Sequence, residues 1–114
     1  MIPTDANKCK ISTDGMNVYA NANFYPGDII EICPTKAIDK AALYSKDMRD
    51  IVFEVIPNDY YVVPFGYCQF YAIVNKDNPE ANCDFLWDNA KRTIIIKALS
   101  RIPTNSKLVL NIQK

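Results

Sequence analysis

Residues 26–34 read PGDIIEICP, and this stretch indicates the fold class more strongly than any other part of the chain. A Pro-Gly pair favours a type II turn, because Pro26 suits its first central position and Gly27 the second, where φ is positive. The apolar and β-branched residues that follow predict a strand over residues 28–33, which Pro34 is expected to end. A tight turn that leads directly into a short strand is typical of β proteins.

Further short strands are predicted on both sides of this stretch. They are rich in apolar, β-branched or aromatic residues and are bounded by Asn, Asp, Pro or Gly. Two pairs of them are separated by turn residues and are expected to form hairpins. The predicted strands cover residues 17–20, 51–56 with 60–63, 83–87 with 92–98, and 107–112.

One helix is predicted among these strands. Residues 35–50 hold good helix formers such as Ala41, Ala42 and Leu43, with Asp39 as the expected N-cap. The elements together predict a mainly β fold of several small sheets with one short helix. With 114 residues and no internal repeat, residues 1–114 are expected to form a single domain.

The composition excludes several classes of function. The 13 basic residues balance the 13 acidic ones, so the cation surplus that attracts nucleic-acid phosphates is missing and no nucleic-acid partner is expected. Histidine is absent from the sequence, which excludes hydrolases that depend on a Ser-His or Cys-His pair. No apolar run approaches the about 18 residues of a membrane span, so no membrane partner is expected.

The four cysteines, Cys9, Cys33, Cys68 and Cys83, show no Cys-x-x-Cys spacing. Without that spacing and without histidine, no metal site is predicted. The first residues lack a basic and then apolar signal region, which favours a cytoplasmic, reducing location. The cysteines are therefore expected to be buried small hydrophobic residues, with a disulfide as the minority alternative.

Four segments, in order, carry a resemblance to a known family. Residues 15–20 read GMNVYA and residues 26–31 read PGDIIE, followed by GYCQFYAIV at 66–74 with NPEAN at 78–82, and by ALSRIPTNSKLVLNI at 98–112. In order and spacing these resemble the SET domain, the fold of protein lysine methyltransferases. The resemblance implies a β-clip fold with a threaded C-terminal segment over about residues 13–112. Small solitary chains of this kind suggest a phage or bacterial protein.

The residues that the family uses to bind S-adenosylmethionine are replaced in this chain. Asn17 stands where the resemblance implies a second glycine, and its side chain would hinder close approach of the cofactor. Ala72-Ile73 replace the family's Asn-His pair in one alignment, whereas Asn75-Lys76 replace it in a shifted alignment. Ile112 stands at the family's terminal tyrosine, whose hydroxyl orients methyl transfer.

These replacements predict that the chain has no catalytic residues and binds no cofactor. The positions that would line the former site are called the cleft residues below. They are Gly15, Asn17, Tyr19, Tyr71, Ala72, Ile73, Asn75, Asn111 and Ile112.

Three functions are compatible with this reading. The favoured one is a noncatalytic SET-like pseudoenzyme, not an enzyme, that binds an unknown protein partner in the cytoplasm, which is the host cytoplasm if the protein is phage-encoded. The second is a divergent S-adenosylmethionine-dependent protein lysine methyltransferase that rebuilt its cofactor contacts with Asn17, Asn75, Asn111 and a tyrosine. The third is a small inhibitor that blocks another enzyme with the loop at residues 75–82.

Overall fold

The computed structural model describes residues 10–39, 41, 52–56, 59–74 and 78–111. Within these residues the chain forms short strands and one turn of 3₁₀ helix at Gly66–Gln69, which is called the 3₁₀ turn below. The strands are β1 (Ile11–Thr13), β2 (Val18–Ala20), β3 (Ile29–Ala37), β4 (Phe53–Ile56), β5 (Tyr60–Pro64), β6 (Ala72–Val74), β7 (Cys83–Asp88), β8 (Thr93–Ala98) and β9 (Val109–Asn111). The predicted mainly β class is confirmed.

The C-terminal strand occupies an unusual place in the main sheet. This sheet contains seven strands in the order β4-β5-β3-β8-β7-β9-β6, while β1 and β2 form a separate antiparallel pair. β9 runs parallel to both of its neighbours, and it lies between two strands, β6 and β7, that precede it in the chain. The end of the described chain is thus inserted between earlier segments, as the threaded crossing implied by the resemblance requires.

The turn and the two hairpins predicted from local residue patterns are confirmed. The Tyr25 carbonyl accepts a hydrogen bond from the Asp28 N–H at 2.9 Å, and Gly27 has φ of +89°, as in a type II turn. β4 pairs with β5, and β7 pairs with β8, both antiparallel. These elements depend on residues that are close in sequence, and for this reason the local residue pattern was sufficient to predict them.

The prediction that Pro34 ends its strand is wrong. β3 continues through Pro34 to Ala37, and it changes partner at this point. Pro34 is the last residue of β3 paired with β8, whereas Thr35 is the first paired with β5. Pro34 has no backbone N–H, and this is tolerated where the strand changes partner, because no continuous ladder of backbone hydrogen bonds passes through the proline.

Most of the predicted helix lies outside the described residues. Residues 35–37, which precede the expected N-cap Asp39, belong to β3. Asp39 does accept a hydrogen bond through Oδ1 from the Ala41 N–H at 3.1 Å, as a capping side chain would. Among the described residues, no helix has the length and apolar character needed to cross a membrane.

The hydrophobic core lies on the inner face of the main sheet. Along β8, buried residues alternate with partly exposed ones, so Ile94, Ile96 and Ala98 share the face that is covered. Val18 and Leu110 come from β2 and β9 to the same cluster and are fully buried. The core therefore joins the small sheet to the inserted strand and holds the elements that carry the cleft residues.

Candidate functional site

The turn between β1 and β2 is organised by Asp14. Its Oδ1 accepts hydrogen bonds from the backbone N–H groups of Met16 and Asn17, each at 2.9 Å, and its Oδ2 accepts one from the Tyr19 hydroxyl at 3.3 Å. The bonds from the Asn17 and Met16 amides lower the pKa of the Asp14 carboxyl. Gly15 has φ of +90°, and a Cβ at this position would meet no other atom within 4 Å. The turn therefore presents an ionised carboxylate at an exposed tip.

β2 lies beside the segment that leads into β9. The Val18 carbonyl accepts a hydrogen bond from the Leu108 N–H at 2.8 Å, and Tyr19 pairs with Lys107 in an antiparallel bridge. This bridge places β2 beside the residues that precede β9, and β6 becomes the neighbouring strand from Val109 on. The first glycine motif and the C-terminal strand therefore meet at one end of the molecule.

β6 and β9 bring three more cleft residues together. Ala72 pairs with Val109, and Val74 pairs with Asn111, so Ala72, Ile73 and Asn111 lie on neighbouring strands. Ile73 is partly exposed, and the Asn111 side chain is half-buried. Asn75 and Ile112 lie outside the described residues.

Asn82 fastens β9 in its place and was not predicted as a site residue. Its Nδ2 donates a hydrogen bond to the Lys107 carbonyl at 3.0 Å, and its Oδ1 accepts one from the Val109 N–H at 2.8 Å. These bonds satisfy backbone groups at the point where β9 enters the sheet. A signal was present in the sequence, since Asn82 belongs to the third of the segments that carry the family resemblance, at 66–74 with 78–82.

Tyr71 lies in the core, where its hydroxyl is hydrogen-bonded to Glu31. The hydroxyl donates a hydrogen bond to Glu31 Oε1 at 3.0 Å, and Tyr71 is 4% exposed. Burial, and then the negative charge of Glu31, raise the pKa of the Tyr71 hydroxyl well above its ordinary value. Tyr71 thus remains protonated and stabilises a buried carboxylate.

Glu31 carries a charged side chain that is buried, at 4% exposure, and its carboxylate also holds the 3₁₀ turn by a hydrogen bond. Its Oε2 accepts a hydrogen bond from the Tyr67 N–H at 2.9 Å. Cys33 and Cys68 lie beside it and are both buried. Hydrogen bonding to Cys68, then burial, raise the pKa of the Cys33 thiol. Within the described residues, no three carboxylate or thiol groups are arranged to hold a metal ion.

The cleft residues that the structure describes therefore fall into three places. Gly15, Asn17 and Tyr19 lie on the β1–β2 turn and the strand that follows it, and β2 runs beside the segment that leads into β9. A second group lies on β6 and β9, and Tyr71 is directed into the core. The first two groups lie on strands that both border the chain where it enters β9.

The polar groups near this meeting point fit a zwitterionic cofactor such as S-adenosylmethionine. The side chains of Asn17 and Asn111 are half-buried and have no hydrogen-bond partner among the described residues. Each carboxamide offers both a donor and an acceptor, which suits an amino acid's ammonium and carboxylate groups. The ionised Asp14 adds a negative charge, which attracts a sulfonium or ammonium cation.

Known proteins are similar to this chain in their three-dimensional structure. No protein-family model matches the chain, and no curated protein matches it. A structure from Plasmodium falciparum, described as a candidate histone methyltransferase, superposes with a TM-score of 0.70 over 91% of this chain and 93% of that one, at 22% identity. The chain has a SET-like fold.

Two further structures with a SET-like fold agree with this result. The ATXR5 SET domain in complex with histone H3 gives a TM-score of 0.63 at 14% identity, covering 83% of this chain and 51% of that one. The Polycomb Repressive Complex 2 of Chaetomium thermophilum gives 0.62 at 12% identity, covering 86% and 14%. The SET-like chain thus spans only part of these larger proteins.

The prediction that this SET-like protein is not an enzyme is contradicted by these neighbours. One of the superposed structures is described as a candidate histone methyltransferase, so the fold is one that occurs in an enzyme of this kind. Side chains that are lost at matched positions can be replaced by polar groups from neighbouring positions. Asp14 is such a group, and the sequence reading overlooked it.

Proposed function

We propose that the chain is a divergent SET-like methyltransferase that uses S-adenosylmethionine and acts on a lysine side chain of a protein. The observation that carries this proposal is that β2 runs beside the segment that leads into β9, and that among the described residues the carboxamides of Asn17 and Asn111 have no hydrogen-bond partner. The lysine substrate follows from the family resemblance.

The residues of the chain have distinct roles in this proposal. Asn17 and Asn111 bind the amino-acid end of the cofactor by hydrogen bonds, and Asp14 stabilises its positive charge. When bound, the cofactor supplies a methyl group on a sulfonium that a neutral amine can attack. Ala72 is level with Val109 and therefore shares a face of the sheet with Asn111, where it adds apolar surface that excludes water from part of the site.

The test is a calorimetric titration of the folded protein with S-adenosylmethionine and S-adenosylhomocysteine. We expect binding of both at micromolar to sub-millimolar concentration. Transfer is then measured with methyl-labelled cofactor and lysine-containing peptides, using arginine-substituted peptides as the control. A folded protein that binds neither compound at millimolar concentration would refute the proposal.

A second candidate, a protein-interaction module, is favoured by the outer face of the main sheet. Ile32 of β3, Ile95 of β8 and Leu86 of β7 are aligned across three strands on the side away from the core. Leu86 is 45% exposed, so part of this row contacts solvent. The substitution Leu86→Lys should abolish recovery of a stoichiometric partner from a native extract while leaving cofactor binding unchanged. Unchanged recovery would contradict this candidate.

A further inference from the structure

Two cysteines from distant parts of the chain are brought together under the 3₁₀ turn. Glu31 of β3 receives the Tyr67 N–H at 2.9 Å, which holds the turn against the strand. Cys33 lies two residues after Glu31, so it faces the same side of β3, and Cys68 directly follows Tyr67. The packing of the turn on the strand therefore places the two side chains side by side.

Both thiols are enclosed by the protein. Cys33 is 0% exposed and Cys68 is 1% exposed, and both belong to the buried core cluster. The neighbouring Cys68 thiol raises the pKa of Cys33. Cys83 is also fully buried, but its Sγ donates to Asn82 Oδ1 at 3.2 Å, and it lies on β7 between Ala98 and Leu110. Of these three cysteines, only Cys33 and Cys68 form a pair.

We propose that Cys33 and Cys68 form a disulfide when the protein folds in the presence of a low-molecular-weight disulfide such as glutathione disulfide. One cysteine thiolate attacks the glutathione disulfide, which gives a mixed disulfide and releases one glutathione thiol. The second cysteine then attacks the protein sulfur of that mixed disulfide and releases the second glutathione thiol. The protein loses two electrons and two protons, and both are recovered in two molecules of reduced glutathione.

The structure also determines when this reaction is fast. Both thiols are buried, so glutathione disulfide is expected to reach them when residues 66–69 separate from β3. The neighbouring Glu31 carboxylate disfavours the thiolate in the folded state. Oxidation is therefore expected to be fast during refolding and slow in the native protein, and the buried disulfide should resist reduction once it has formed.

The disulfide would have a structural consequence close to the cleft residues. The 3₁₀ turn is followed directly by Tyr71 and β6, so a bond from Cys68 to Cys33 fixes the entrance of β6 to β3. It also closes a loop of about 36 residues, which restricts the unfolded chain. We expect the oxidised protein to unfold at a temperature higher by on the order of 10 °C than the reduced protein.

The experiment refolds the full chain in glutathione buffers of increasing oxidised fraction. Free thiols are then trapped by alkylation, and disulfide-linked peptides are identified by mass spectrometry without reduction. We expect a single linkage, between Cys33 and Cys68, a protein lighter by two hydrogen atoms, and two of the four thiols protected.

Matched variants separate this pair from other pairings. Cys33→Ala and Cys68→Ala should abolish the linkage, and Cys83→Ala should retain it. Circular dichroism of each reduced variant checks that it has folded. Four free thiols in oxidised wild-type protein, or a dominant linkage that includes Cys83 or Cys9, would overturn the proposal.

Discussion

Glu31 Oε2 lies 2.6 Å from the point at which a Cβ on Gly66 would stand. Real Cβ atoms do not approach an oxygen so closely, so an alanine here would force the Glu31 carboxylate to shift and would disturb its hydrogen bonds to Tyr67 and Tyr71. Gly66 also has φ of +83°, a backbone conformation that other residues adopt at a cost. The two residues are far apart in sequence, and together they determine how the 3₁₀ turn lies on β3.

Gly66→Ala should destabilise the protein more than Gly15→Ala does. Both glycines have positive φ, but a Cβ at Gly15 would meet nothing within 4 Å, whereas at Gly66 it would displace Glu31. We expect losses of about 1 kcal/mol for Gly15→Ala and about 3 kcal/mol for Gly66→Ala in urea unfolding. Equal losses would show that the carboxylate moves away without cost.

Tyr71→Phe should destabilise the protein because it removes a donor from the buried carboxylate of Glu31. The hydrogen bond measures 3.0 Å and both residues are almost completely buried. We expect a loss of about 2 kcal/mol in the free energy of unfolding. Tyr25→Phe, at a tyrosine that is 53% exposed, is the control and should change stability by less than about 0.5 kcal/mol.

Stability should fall in alkaline solution. Burial raises the pKa of the Cys83 thiol from its ordinary value of 9.0 to about 12 and raises that of Tyr71 as well. The unfolded chain therefore releases these protons at lower pH than the folded chain does, so the stabilisation is complete below about pH 9 and declines above it. The expected slope for each such proton is about 1.4 kcal/mol per pH unit.

This prediction is checked by urea unfolding of the reduced protein between about pH 8 and about pH 11. Cys83→Ala should show a shallower decline than the wild type, because one of the shifted groups is absent. A free energy of unfolding that stays constant over this range would contradict the burial of these groups.

Asn82→Ala should loosen the inserted strand. It removes the bonds to the Lys107 carbonyl and the Val109 N–H, and the Val109 amide is partly buried. We expect a loss of about 2 kcal/mol and faster hydrogen exchange of the β9 amides. Asn23→Ala also removes two hydrogen bonds, to Thr104, but at an exposed site, so it should cost less than about 1 kcal/mol. Unchanged exchange in β9 would show that Asn82 does not hold the strand.

Asn17→Ala and Asn111→Ala should each weaken binding of S-adenosylhomocysteine in calorimetric titration. Loss of a hydrogen bond to a charged group corresponds to a roughly tenfold rise in Kd. Asn89→Ala, in the exposed turn after β7, is the matched control and should leave Kd unchanged. If all three variants bind equally, the carboxamides at the start of β2 and in β9 do not contact the cofactor.

The elements that depend on neighbouring residues could be predicted from the amino-acid pattern. The turn at Gly27 requires one positive φ, and the hairpin of β7 and β8 requires alternating residues on both sides of a polar turn. The continuation of β3 through Pro34 could not be predicted, because it depends on β5 replacing β8 as the partner. A proline is normally a sign of a strand end, and its sequence neighbours contain no information on that exchange.

The candidate site, too, has features that the sequence predicted and features that only the tertiary structure shows. The sequence by itself determined that the chain is mainly β and that Asn17 stands in a glycine-containing turn, since turn chemistry acts over a few residues. Only the tertiary structure decided that the Tyr71 hydroxyl donates to Glu31 and that β9 enters between β6 and β7. The physical reason is that a buried polar group is satisfied by whatever donor the folded chain places within hydrogen-bond distance, and that donor can lie anywhere in the sequence.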